Sequence, residues 1–276
     1  MSAMSVIFGV LVGLALGLTG GGGSIFAVPL LIYGLGEPAQ AAIAVSLGAV
    51  AITAAFGAAE SYWRGLIELR AGLIFAVAGV ATAPVGVYLG DLVDEATITA
   101  LFAGVMILVA TRMFRSARRA GDDSKVVRAR PAADAHDDPG TVCHYSRDGQ
   151  LRLNAPCSAA LVAVGVLVGV LSGFFGVGGG FLIVPALIMI TEMGIHRAVA
   201  TSLLVITLIG LSGLTSAVFS GRDIDWALTG LFILGGVLGM IGGRTLSRYI
   251  AGPSLQLAFS IAMLLTAGYM ILKTFS

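Results

Sequence analysis

Eight apolar runs, at roughly 5–35, 38–59, 71–90, 96–111, 155–191, 198–221, 226–243 and 253–272, take up most of this chain. About 20 apolar residues let a helix cross a bilayer, and most of the runs meet that length. They do not alternate polar with apolar, so a transmembrane β-barrel is excluded. Only 11% of the 276 residues are charged, against about 25% in an ordinary soluble domain. That scarcity excludes a soluble enzyme, a disordered tail and a nucleic-acid binder. The expected fold is an all-α polytopic membrane protein. The first run lacks a charged leader region and is too long for a cleaved signal peptide.

Two runs, 5–35 and 155–191, exceed one span, and each is interrupted by glycines: Gly20-Gly21-Gly22-Gly23 in the first, Gly176-Val177-Gly178-Gly179-Gly180 in the second. A proline follows each cluster, Pro29 and Pro185. Glycine costs a helix about 1 kcal/mol per position relative to alanine. Each run is therefore expected to form two shorter helical pieces joined by unwound backbone.

The two interruptions belong to a longer register. Adding 156 carries Gly9, Gly13 and Gly17 onto Gly165, Gly169 and Gly173, and Gly20, Gly22 and Gly23 onto Gly176, Gly178 and Gly179. The same shift carries Val28-Pro29 onto Val184-Pro185, and Ala44, Ser46 and Leu47 onto Ala200, Ser202 and Leu203. Composition alone would match glycines but not this ordered series. The expectation is two homologous four-segment repeats, 1–114 and 155–276, with about eight membrane segments in all. Between them lies a charged, flexible linker, 115–154.

The linker carries Arg112, Arg115, Arg118, Arg119, Lys125, Arg128, Arg130, Arg147 and Arg152 in or beside it. Positive charge places it in the cytoplasm. The sense of the repeats stays open. If the broken runs cross fully, the halves are parallel, and Arg64, Arg70, Arg222 and Lys273 share the cytoplasmic face. If they are re-entrant hairpins, the halves are inverted, and Arg64, Arg70, Arg197, Arg244 and Arg248 do. Inverted repeats are a common transporter design, which tilts the balance only slightly.

Non-helical backbone persists in a membrane only where protein buries it or a watery cavity borders it. Two related breaks, one per half, point to a shared site near the midplane. Half-helices starting near Ser24 and Phe181 would aim unpaired N–H groups and a partial positive charge at it, which suits an anion. The candidate substrate-binding residues are Thr19, Gly20, Gly22, Gly23, Ser24, Ser46, Gly176, Gly178, Gly179, Gly180, Thr201, Ser202 and Arg244. The Gly9/Gly13/Gly17 and Gly165/Gly169/Gly173 series read as small-residue packing faces.

No run has a central carboxylate; Glu37, Glu60, Glu68, Asp91, Asp94, Glu95, Glu192, Asp223 and Asp225 lie at span ends or in loops. Cation carriers and proton pumps usually need one, so neither is expected. Gly176–Gly180 has no strand before it and no GK[ST], which excludes a nucleotide loop. Cys143 and Cys157 are expected to form no disulfide framework and to say nothing of redox compartment. His136, Cys143 and His144 match no strong zinc spacing. No metal, no cofactor and no nucleophile–base pair are expected, hence no enzyme.

GLTGGGGSIFAVP (17–29) and GFFGVGGGFLIVP (173–185) resemble the duplicated glycine motif of the sulfite exporter TauE/SafE family. ATSLLVI (200–206) and GMIGGR (239–244) resemble its later helices. The resemblance covers the chain except the linker. It implies a multi-pass permease of the bacterial inner membrane for sulfite, sulfonates or related small anions, with export the usual direction. The partners expected are a small anionic substrate and the lipid bilayer, with no nucleic acid; a homo-oligomer is left open. The competing readings are an anion channel or uptake permease using the same site, and a membrane enzyme or assembly factor.

Overall fold

A computed structural model describes residues 2–123, 143, 154–191, 193–222, 224–246 and 252–275. The linker side chains His136 and His144 and most of its arginines lie outside the described residues, as does Arg248. The described residues are helical almost throughout: α1 (Ser2–Thr19), α2 (Gly22–Gly34), α3 (Ala39–Trp63), α4 (Leu69–Asp91), α5 (Glu95–Asp123), α6 (Ala155–Phe175), α7 (Gly180–Ile190), α8 (Ile195–Phe219), α9 (Trp226–Leu246) and α10 (Gly252–Phe275). Six of them, α3–α6, α8 and α9, hold stretches long and apolar enough to cross a bilayer. Helices suit such a sequence because the membrane offers no water to backbone groups, so every amide must bond within its own segment.

The first apolar run holds α1 and α2, and α2 turns back along α1. Gly23 packs on Ala15 and Leu16, and Gly34, at the far end of α2, packs on Phe8. The fifth run behaves the same way. Gly179, at the start of α7, sits against Val168 and Ser172 of α6. At the other end, the Cys143 amide donates to the Ile190 carbonyl at 3.1 Å, and Cys143 is disulfide-bonded to Cys157 at the start of α6. Each long run is thus a hairpin that leaves by the face on which it began.

The disulfide corrects the expectation for the two cysteines. The folding back of α7 returns Ile190 and Thr191 to the first turn of α6, and Cys143 pairs with that chain end in a one-residue parallel bridge. Its thiol is thereby placed beside that of Cys157, and both side chains are fully buried.

Small residues set the helix contacts. α1 runs parallel to α9, and a Cβ on Gly17 would lie 2.6 Å from the Met240 carbonyl oxygen. On the facing side Gly235, Gly239 and Gly243 meet the carbonyls of Val6, Val10 and Leu14. α6 runs parallel to α4 in the same manner, with Gly165, Gly169 and Gly173 on Phe75, Gly79 and Ala83. Without hydrophobic force between helices in lipid, such backbone approach supplies the van der Waals contact that holds them. Each glycine-faced helix packs against the opposite half of the chain, so the halves are interlocked. α3 and α8 cross at the centre, and α3 is the most enclosed of the spans, with 78% of its apolar window buried. α5 and α10 pair at the periphery.

α4 contains Pro84, which cannot bond to the Val80 carbonyl one turn before it. The hydroxyl of Ser212, on α8, donates to that carbonyl at 2.8 Å instead.

Two faces follow from these directions. The 64–68 loop and the start of α8 share the linker face, where Arg197 lies 3.7 Å from Glu68. Arg64, Arg70, Arg197 and Arg244 lie toward that face. Arg222, paired with Asp91, and Lys273, over the Tyr33 ring at 5.1 Å, lie toward the opposite one.

Candidate functional site

The two hairpin tips meet inside the bundle. α1 ends at Thr19, and Gly20 takes a left-handed conformation, φ +73°. α6 ends at Phe175, and Gly176 does the same at φ +71°, followed by Gly178 and Gly179 at +66° and +67°. Only glycine adopts these angles without steric cost, so the turns need it. Gly21 then packs directly on Gly180: a Cβ on Gly21 would lie 2.6 Å from the Gly180 carbonyl carbon. Gly178 and Gly180 face Ile206 of α8, and Gly178 also faces Val50 of α3, so the tips lie between the two central helices.

Serines fasten each tip to the other half. Ser46 Oγ on α3 donates to the Gly176 carbonyl at 2.7 Å. Ser202 Oγ on α8 lies 2.8 Å from the Gly20 carbonyl and equally close to that of Val199. Both serines are fully buried. A break frees carbonyls from helical bonding, and a buried orphan costs about 1–3 kcal/mol. The serines satisfy one such carbonyl in each half.

The other sequence-predicted residues divide in two. Gly20, Gly23, Ser24, Gly176, Gly178, Gly179 and Gly180 are buried at the tips, and Gly22 is partly exposed beside Thr19. The hydroxyls of Thr19 and Ser24 donate to the local carbonyls of Ala15 and Gly21, both at 2.8 Å. Thr201, buried at the start of α8, accepts the Glu68 amide at 3.0 Å. Arg244 stands apart: its guanidinium bonds Glu60, Ser61 and, at 2.9 Å, the Gly57 carbonyl, all on the last turns of α3. A cation there complements the negative end of that helix.

One residue at the tips escaped the sequence reading. Ser172 is fully buried on α6, its Cβ 3.5 Å from the position a Gly179 Cβ would take, and its hydroxyl has no partner among the described residues. A shift of 156 pairs it with Leu16, so the glycine register gave no signal for it.

Among the described residues, no three His, Cys, Asp or Glu side chains group as metal ligands. A groove of about 710 Å³ lies between the α1–α2 hairpin and α10, lined by apolar residues such as Leu11, Phe26, Pro29 and Leu265. None of the candidate site residues lines it.

Apolar helices packed around buried, non-helical backbone make a multi-pass membrane protein, and the family it falls in makes it a membrane transporter. The chain belongs to the sulfite exporter TauE/SafE family, which matches residues 5–270. A probable membrane transporter protein of Xylella fastidiosa (strain 9a5c) is 35% identical, covering 97% of this chain and 94% of its own. Two probable membrane transporter proteins of Bacillus subtilis (strain 168) are also similar. YunE is 26% identical over 94% of this chain and 93% of its own, and YdhB is 28% identical over 84% and 85%. No solved structure gives a significant match.

Proposed function

We propose that this protein exports sulfite, sulfonates or related small anions across the bacterial inner membrane, by alternating access of two inverted repeats around the paired glycine breaks. The observation that carries this reading is the contact of Gly21 with Gly180, held by reciprocal serine bonds from the opposite halves.

Several features support an anionic guest. α7 begins at Gly180 and directs its first amides toward the α1–α2 tip, with the positive end of its dipole there. The unpartnered hydroxyl of Ser172 adds a donor within the same layer. No carboxylate lies among the candidate residues at the tips to repel a negative charge.

The register of 156 supports the repeat: it relates Ser46 to Ser202 and Gly20 to Gly176, and those four residues are the partners in the two cross-bonds. The two hairpins begin on opposite faces, which supports inverted halves. The linker face holds most of the basic side chains and is assigned to the cytoplasm. An anion leaving a negative-inside cell gains about 2.3 kcal/mol per charge per 100 mV, so export needs no coupling ion.

Burial of Gly20, Gly21, Gly23, Ser24 and Gly176–Gly180 favours a carrier over an open pore. The test is flux from proteoliposomes loaded with sulfite or a small sulfonate. Saturable efflux, faster when the inside is made negative, is expected; folded protein that moves neither anion overturns the proposal.

A further inference from the structure

Arg222 follows α8 on the face opposite the linker, and its side chain is only 6% exposed. Its Nε donates to Asp91 Oδ1 at 3.0 Å, and its Nη2 reaches the same oxygen at 2.7 Å and the Val87 carbonyl at 2.9 Å. Its Nη1 is buried and has no partner among the described residues. A guanidinium carries five N–H donors in a fixed fork, so the spare edge has a set direction and cannot rotate away to find an acceptor. Buried polar groups are almost always bonded, and an exception asks for an explanation.

The place of this edge supplies one. Gly173, in the last turn of α6, packs on α4 where a Cβ would lie 2.9 Å from the Val87 amide nitrogen. A Cβ on Gly90 would lie 3.5 Å from Arg222 Nη2 and 3.6 Å from the Phe174 carbonyl oxygen. Arg222 therefore sits beneath the end of α6, within a turn of the Gly176 break, between the hairpin tips and the membrane face. Arg244, toward the linker face, differs: its guanidinium is engaged by Glu60, Ser61 and Gly57 together.

We propose that Arg222 is an anion-binding subsite on the face opposite the linker, its Nη1 edge taking a small oxyanion as that solute passes between the glycine breaks and the surface. Asp91 is the internal counter-ion. It holds the guanidinium through one oxygen in the closed state and competes with the solute for the positive charge. The subsite rests on the anion reading above but adds a residue that neither the glycine motif nor the repeat supplies.

The competition separates a binding role from a structural brace. A brace is broken alike by Arg222→Gln and Asp91→Asn. A subsite is lost in the first and unmasked in the second. With full-length protein in proteoliposomes and sulfite as probe, Arg222→Gln is expected to raise the half-saturating concentration about tenfold or more, the scale of one charge-assisted hydrogen bond. Asp91→Asn is expected to lower it, and Arg222→Lys, which keeps the charge without the fork, to fall between wild type and Arg222→Gln. Unchanged half-saturation in Arg222→Gln, or an equal rise in Asp91→Asn, overturns the subsite.

Thermal stability in detergent, read against sulfite and against sulfate, decides the matter separately from transport. Stabilisation of wild type by either anion that vanishes in Arg222→Gln supports the subsite even if no sulfite flux is found, an outcome in which only the transport proposal falls. Absence of any anion stabilisation in wild type, or its survival in Arg222→Gln, overturns the subsite even if flux is present.

Discussion

Ser46 in the first half gives its hydroxyl proton to the carbonyl of Gly176 in the second, across 2.7 Å. Ser202 faces Gly20 in the opposite sense at 2.8 Å. Each hairpin tip is therefore anchored to the half that does not contain it. Ser46→Ala is expected to strand the Gly176 carbonyl and destabilise the protein by about 1–3 kcal/mol. Ser202→Ala leaves the Gly20 carbonyl in the same state and should cost a similar amount. Thermal unfolding in detergent measures both, and an effect in only one of them would break the equivalence.

Helix contact by glycine gives a second prediction, with its own control. A Cβ on Gly13 would run into the main chain of Gly236, so Gly13→Leu should prevent α1 from seating on α9 and abolish folded protein. Gly104 has nothing within 4 Å of such an atom, so Gly104→Ala should be neutral or gain up to about 1 kcal/mol from helix propensity. Yield of monodisperse protein after membrane extraction reads both variants.

The bridge between Cys143 and Cys157 spans 14 positions. Closing a loop of that size stabilises a fold by up to about 3 kcal/mol. Cys143→Ser should lower stability by as much in oxidised protein and by little under reductant. With the face of the bridge assigned to the cytoplasm as proposed, where thiols are kept reduced, maleimide added after acid quenching and denaturation of growing cells should find the pair free, and oxidant should close it. Labelling that finds it already closed would reverse the assignment of faces.

Transport should not follow the proton gradient. Carboxylates near the spans sit at their ends: Glu60 is bound by Arg244, and Glu68 stands just before α4, beside Arg197. With the membrane potential clamped, sulfite efflux is expected to stay unchanged within about twofold when a pH gradient is imposed or collapsed, since no acid among the described residues is buried to relay the proton. A flux that tracks the gradient would require a carrier group other than these.

Much of this arrangement could be read from the residues. Hydropathy alone locates the long helices, and the 156-residue register singles out Ser46, Ser202 and the glycines at which α1 and α6 end. The folding back of α2 and α7 was not legible, because basic residues divided too evenly between the two candidate topologies. The disulfide was hidden because it depends on Ile190 returning to the first turn of α6, a contact between residues far apart in sequence. Ser172 and Arg222 were hidden for another reason: their counterparts are Leu16 and Leu66, and a motif shared by both halves cannot mark a residue present in one.

The hydroxyl of Ser212 stands in for the amide that Pro84 lacks, so the weakest turn of α4 is spliced to α8 on the other half. Any flexing of α4 about that turn must drag α8 with it or forfeit the bond. A defect in one backbone has thereby become a point of attachment, and Ser212→Ala would leave the Val80 carbonyl without it while the glycine contacts still join the halves.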